Sequence, residues 1–116
     1  MHELIIKTNN DLEHVANDKH LSLQVLEKTQ SIIKARLIVE TDVLIQVYVN
    51  AKKIKISYAL IMNNQRTYAK DCIYGEWHTH PFMNSQVHDI SETGKHPVEL
   101  AEFVEAALFN YYSLSQ

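Results

Sequence analysis

Glycine and proline are scarce: two of each occur in 116 residues, where average usage would supply about a dozen together. That scarcity excludes long irregular loops and a glycine-lined phosphate cradle, and it places most of the chain in regular structure. A lone cysteine, Cys72, leaves no internal disulfide to be made. No apolar stretch approaches the ~18 residues of a membrane helix. The densest stretch, residues 37–49, is broken by Glu40, Thr41, Asp42 and Gln46. No apolar segment follows a basic start, so a secretory leader has no support and a reducing cytoplasm is the expected location. Positive charge is not in excess either. Eleven basic against fourteen acidic residues give −3 with histidine neutral, so no global field holds a nucleic-acid backbone and contact with RNA would need a local patch.

The remainder is ordinary globular composition, 46% apolar and 22% charged. At this length it specifies one domain over residues 1–116. Residues 1–34 read as helical, as two short helices or one broken one. Leu12 and Val15 precede the polar break Asn17-Asp18-Lys19, and Leu21, Val25, Leu26, Ile32 and Ile33 follow it near a helical stripe. Asn9-Asn10 ahead of Asp11 supplies capping oxygens for a start there. From Lys34 the period becomes two. Val43, Ile45, Val47 and Val49 alternate with more polar positions after a Thr41-Asp42 turn, and Ile54, Ile56, Tyr58, Leu60 and Met62 share a face after Asn50. Asn63-Asn64 suits a tight hairpin, and residues 66–77 read as the fourth strand. Pro97 fits a first helical position, with Leu100, Phe103, Val104, Ala107, Leu108 and Tyr111 three or four apart. The expected fold is α+β: a four-stranded antiparallel meander with N-terminal helical segments and a C-terminal amphipathic helix packed on the sheet.

The chemical signal is a concentration of histidine. Four of the seven histidines fall between residues 78 and 96. On a strand, Glu76, His78 and His80 line one face, so two imidazoles can converge on one ion or one phosphate. His88 and Asp89 lie beyond Pro81, where a loop can fold back with a third ligand or an acid/base pair. His-x-His is a common pattern, and metal binding, metal-free acid/base catalysis and solvated or structural imidazoles all remain open at this point. The metal reading takes His78, His80 and Asp89 as ligands of a divalent ion such as zinc. The metal-free reading takes His80 and His88 as the acid/base pair, with Glu76 a third catalytic candidate on the same strand face.

Two families resemble this segment. His78-Thr79-His80-Pro81 followed by Ser85 and Asp89 is similar to the zinc site of the JAMM metalloproteases, which implies a metal-dependent hydrolase. Over about residues 31–108 the chain resembles the TumE-type toxins of prokaryotic toxin–antitoxin modules. Residues 33–38 are similar to the opening strand of that group and residues 56–60 to its tyrosine-bearing strand; His80-Pro81 and His88 are similar to its two histidine clusters, and residues 95–108 to its closing helix. That resemblance implies an antitoxin partner and action on RNA. In a metal-free cleavage one histidine would take the 2′-OH proton and the other protonate the leaving oxygen, with a basic residue at the phosphate.

Elsewhere the expected chemistry is weaker. Lys52, Lys53, Lys55 and Arg66 can share one side of the central hairpin with Lys70 farther along, as a solvated face or as a patch for RNA phosphates with Tyr48, Tyr68 or Tyr74 for stacking. Cys72 reads as a small buried hydrophobe. Trp77 should point away from His78, under the strand. Tyr111 and Tyr112 extend the apolar side of the last helix as core or homodimer contacts. A third class of function, a non-catalytic interaction module docking through the sheet edge or the last helix, fits the acidic balance.

Overall fold

The structure, a computed structural model, describes residues 1–114. A single helix, α1 (Glu3–Lys19), precedes six strands: β1 (Ser22–Lys28), β2 (Ile32–Glu40), β3 (Val43–Asn50), β4 (Lys55–Met62), β5 (Gln65–Ile73) and β6 (Glu76–His80). Helix α2 (Leu100–Ser113) closes the chain. The strands form one antiparallel sheet in sequence order, each paired with its neighbours in the chain. The α+β class with a helix at each end is as expected; the sheet has six strands rather than four. No described helix is long and apolar enough to cross a membrane.

Both extra strands come from segments whose local pattern is ambiguous. The expected second N-terminal helix over residues 21–33 is instead β1 and the turn into β2, with Leu23 opposite Leu37 and Val25 opposite Ala35. In β1 the apolar spacing also suits a helix, and β1 is an edge strand exposed along nearly its whole length, so burial leaves little alternation to read. Helix α1 begins earlier than expected, at Glu3, where the His2 Nδ1 accepts the Leu4 N–H at 2.9 Å. The single expected strand over residues 66–77 is two, split by Tyr74-Gly75. Both residues have positive φ, 51° and 85°, which makes a two-residue hairpin turn. Asn63 and Asn64 turn the preceding hairpin in the same way, at φ 52° and 64°.

One sheet face is covered by the helices. Ile33, Ala35, Leu37, Val43, Ile45, Val47, Val49, Tyr58 and Leu60 bury against Ile5, Leu12 and Val15 of α1 and Leu100, Phe103, Val104 and Ala107 of α2. Phe103 anchors the second helix: its ring stacks on Tyr68 at 5.0 Å and tilts against Tyr58 at 5.6 Å. Ile56 packs against the same core from a half-buried position, and Ile54 falls in the preceding turn, exposed. Helix α2 starts later than Pro97 suggests. Glu99 is its N-cap, and the Glu102 carboxylate accepts the Glu99 N–H at 2.9 Å. Tyr111 packs beside the core and donates to Glu40 at 2.5 Å, while Tyr112 is exposed.

Candidate functional site

Directly opposed residues of antiparallel strands share a face, so the register fixes which side chains meet. Ser57 opposes Asp71, Asp71 opposes His78, and Ala69 opposes His80. All five lie on the face that the helices leave uncovered. The positions beside His80 across the sheet are Ala69 and then Ala59, whose short side chains leave the imidazole room to lie against the sheet. His80 is accordingly 2% exposed. Trp77 and Thr79 point to the helix-covered face, and Trp77 stands 6.4 Å from the Tyr58 ring, under the strand as expected.

The third imidazole comes from the loop after β6. Thr79 and Asp89 exchange both backbone hydrogen bonds, at 2.7 and 3.2 Å, forming an isolated bridge that acts as a one-residue seventh strand. Asp89 therefore shares the side of Thr79, and the alternation puts His88 on the side of His78 and His80. The ring centroids lie 5.0 Å apart for His78–His80, 5.2 Å for His78–His88 and 4.6 Å for His80–His88. One ring nitrogen from each falls within 4.8 Å of the others.

Asp71 adjoins two of the three imidazoles. Its Oδ2 is 3.2 Å from His80 Nε2 and 3.4 Å from His78 Nε2, and its Oδ1 accepts the Ser57 hydroxyl at 2.7 Å. His80 Nδ1 lies 2.8 Å from the Ser85 carbonyl, a contact that assigns the proton to Nδ1. In the neutral ring the Nε2 lone pair then faces a carboxylate oxygen, an arrangement that needs a proton or a cation between them. Burial pulls the His78 imidazole below its ordinary pKa, against the opposing pull of Asp71, so its neutral, ligating form is favoured. Arg66 borders the group: its Nη2 donates to the Ser85 carbonyl at 3.0 Å and stands 3.3 Å from His80 Nδ1.

On the opposite face a buried network holds the loop that carries His88. Lys70, 4% exposed, donates from Nζ to Thr79 Oγ1 at 2.8 Å and to the Gly94 carbonyl at 3.0 Å; Thr79 Oγ1 also donates to that carbonyl, at 2.9 Å. Burial lowers the Lys70 pKa, with Asp89 pulling the other way. Gly94 packs so tightly on Asp89 that a Cβ there would lie 2.2 Å from the Asp89 carbonyl oxygen. The Asp89 carboxylate accepts from the backbone and hydroxyl of Ser91, bonds that hold its pKa below the usual range.

Of the residues singled out in the sequence, His78, His80 and His88 converge. Asp89 is turned to the other face, where its side chain caps Ser91 instead of joining the imidazoles. Glu76 shares the strand face of His78 but is exposed at the β5–β6 turn and outside the cluster. Asp71 was not anticipated, because only the β5–β6 register, hidden by the unrecognised turn at Tyr74-Gly75, brings it to the histidines. The lysine patch does not assemble. Lys52 and Lys53 sit in the β3–β4 turn, Arg66 lies at the far end of the β4–β5 hairpin, and Lys70 is buried on the other face. Cys72 is buried, and burial pushes its thiol pKa up. Comparison with known proteins gives no match to any family model, curated protein or solved structure.

Proposed function

We propose that the protein is a divalent-metal-dependent hydrolase whose ion, of the zinc type, is held by His78, His80 and His88 with Asp71 as the fourth donor. The observation that carries the reading is the pair of Asp71–imidazole separations, 3.2 and 3.4 Å. Donors bonded at about 2.0–2.1 Å to one tetrahedral ion stand roughly 3.3 Å apart, so Asp71 stands at ligand spacing from each of the two strand imidazoles, while the three imidazole nitrogens lie within 4.8 Å of one another. A cation there resolves the lone-pair conflict between His80 Nε2 and Asp71. The outer contacts are of the kind that orient metal ligands: the Ser85 carbonyl on the His80 Nδ1–H, and the Ser57 hydroxyl on Asp71. His88 is exposed, so water reaches the solvent side of the position, and a bound zinc would lower the pKa of such a water toward neutrality.

A second reading keeps the resemblance to TumE-type toxins: metal-free RNA cleavage by His80 and His88, with an antitoxin as partner. Its support is the 4.6 Å approach of those two rings with the Arg66 guanidinium beside them. One experiment separates the two. Protein stripped with EDTA is titrated with zinc by calorimetry, and RNA cleavage is assayed before and after. The metal reading expects one zinc per chain, binding that is lost in His80→Ala, and activity that returns only with metal. Absence of stoichiometric binding, or RNA cleavage untouched by EDTA, overturns it in favour of the second.

A further inference from the structure

Beside the histidine cluster lies a cleft of about 580 Å³ lined by Gln65, Arg66, Thr67, Asn84, Ser85 and Gln86, with Met83 as its one apolar side chain. The loop after β6 forms its wall and is fastened to the start of β5: the Met83 N–H donates to the Thr67 carbonyl at 2.7 Å, and the Ser85 hydroxyl donates to the Arg66 carbonyl at 2.6 Å. The lining holds no carboxylate. Arg66, an exposed residue, has no ion-pair partner among the described residues, although the chain carries more acidic than basic side chains. Its guanidinium is held in place by the Nη2 bond to Ser85, so its planar fork is oriented before any ligand arrives.

From these observations we infer that the cleft is an anion subsite for a phosphoryl group of the substrate, bound by Arg66 and flanked by the amides of Gln65, Asn84 and Gln86. A guanidinium matches phosphate bidentately, and the imidazole cluster beside it is equipment for cleaving phosphate esters, whether by a metal-bound water or by direct proton transfer. The subsite rests on the reading of His78, His80 and His88 as the reacting centre. Arg66 approaches His80 at Nδ1, whereas Asp71 approaches it at Nε2, on the other side of the ring. A phosphoryl group held by Arg66 is thus a neighbour of the one that reacts beside Asp71. The substrate class is a compound with at least two phosphoryl groups, either a short nucleic-acid strand or a small polyphosphate ester.

The test uses inorganic pyrophosphate, followed by calorimetry, and a fluorescent single-stranded oligoribonucleotide, followed by anisotropy. Both are measured on EDTA-treated and on zinc-saturated protein, the latter so that any change in metal affinity drops out. Wild type should bind both probes, with Arg66→Gln weakening binding at least tenfold. Gln65→Glu leaves the guanidinium contacts in place and puts a carboxylate at the rim, so it should weaken binding in the same direction and guards against a folding defect in the first variant. Tighter binding of the oligonucleotide identifies a strand as the source of the phosphoryl group, and tighter binding of pyrophosphate a small ester. Zinc binding without Arg66-dependent phosphate binding overturns the subsite and leaves the metal centre standing. Arg66-dependent binding in a protein that takes no zinc does the reverse.

Discussion

Replacing Lys70 by methionine tests whether the buried network on one face of the sheet controls the histidines on the other. Two hydrogen bonds from a charged donor disappear, at 2.8 and 3.0 Å, each contributing about 1.5–3 kcal/mol in a typical protein. Against that loss stands the desolvation of an ammonium that is 4% exposed, a cost of several kcal/mol. The Gly94 carbonyl keeps the Thr79 hydroxyl at 2.9 Å and is not orphaned. The two effects nearly cancel, so global stability should change by no more than about 2 kcal/mol, roughly 8 °C in melting temperature for a chain of this size. The loop behaves differently, because Lys70 is the only side chain of β5 that reaches across β6 to Gly94. Without it the His88-bearing segment keeps the Thr79–Asp89 bridge and the Thr79–Gly94 bond but loses the charged half of its anchor five residues on. Zinc affinity should fall by more than about twofold, and by less than the roughly 10- to 100-fold that removing a direct hydrogen-bond partner of a ligand costs. The assay is zinc calorimetry alongside a thermal melt. Zinc binding within twofold of wild type in a folded Lys70→Met protein would refute the argument.

Three further outcomes are expected. Phe103→Ala removes a 2%-exposed ring stacked on Tyr68 and should destabilise the domain by about 3–5 kcal/mol in urea unfolding; a loss under 1 kcal/mol would mean that α2 is not anchored there. Burial pushes the Tyr58 phenol from 10.0 up to about 12, so the folded state holds this proton more tightly than the unfolded state does. Its contribution is fully present below pH 10 and is lost as pH rises toward 12, about 3 kcal/mol in total at about 1.4 per pH unit; the stability difference between wild type and Tyr58→Phe should therefore stay constant to pH 10 and then shift against wild type, and a difference that stays flat to pH 12 contradicts this. Asp71→Asn keeps the size of the side chain but removes the charge facing His78 and His80, so zinc affinity should drop at least tenfold by competition against a chromogenic chelator, while unchanged affinity would remove Asp71 from the ligand set.

The legibility of this chain in its sequence follows burial. In β3 the alternation of Val43, Ile45, Val47 and Val49 with Gln46, Tyr48 and Asn50 shows in the letters, Leu44 apart, because one face of that strand is entirely covered. In β1 the helices cover almost nothing, so selection for alternation is weak and the apolar letters fall at spacings that fit a helix equally well. The β5–β6 turn is hidden for another reason: Tyr74 takes positive φ although tyrosine is not a turn residue, and Gly75 alone does not announce a hairpin. That turn has a chemical consequence: only the β5–β6 pairing it creates sets Asp71 opposite His78, whereas in the letters Asp89 is the carboxylate nearest the histidines. Convergence of His78 and His80 was legible from period two alone, whereas the side taken by His88 depends on the Thr79–Asp89 bridge, a tertiary contact.

The nearest-neighbour order of the sheet bears on how the protein reaches its folded state. Each strand pairs only with those before and after it in sequence, and Thr41-Asp42, Asn63-Asn64 and Tyr74-Gly75 close three of the hairpins in two residues apiece. Closures that short form in microseconds and spend little chain entropy, which favours rapid collapse by successive zippering over a search among distant pairings. Contacts of large sequence separation are made chiefly by the docking of α1 and α2 on each other and on the sheet. The donors Asp71, His78, His80 and His88, with Ser57 and Arg66 beside them, lie within 32 consecutive residues. They can therefore find one another without either helix, and an ion able to bind them would act as a nucleus for β4 to β6 before the helices dock.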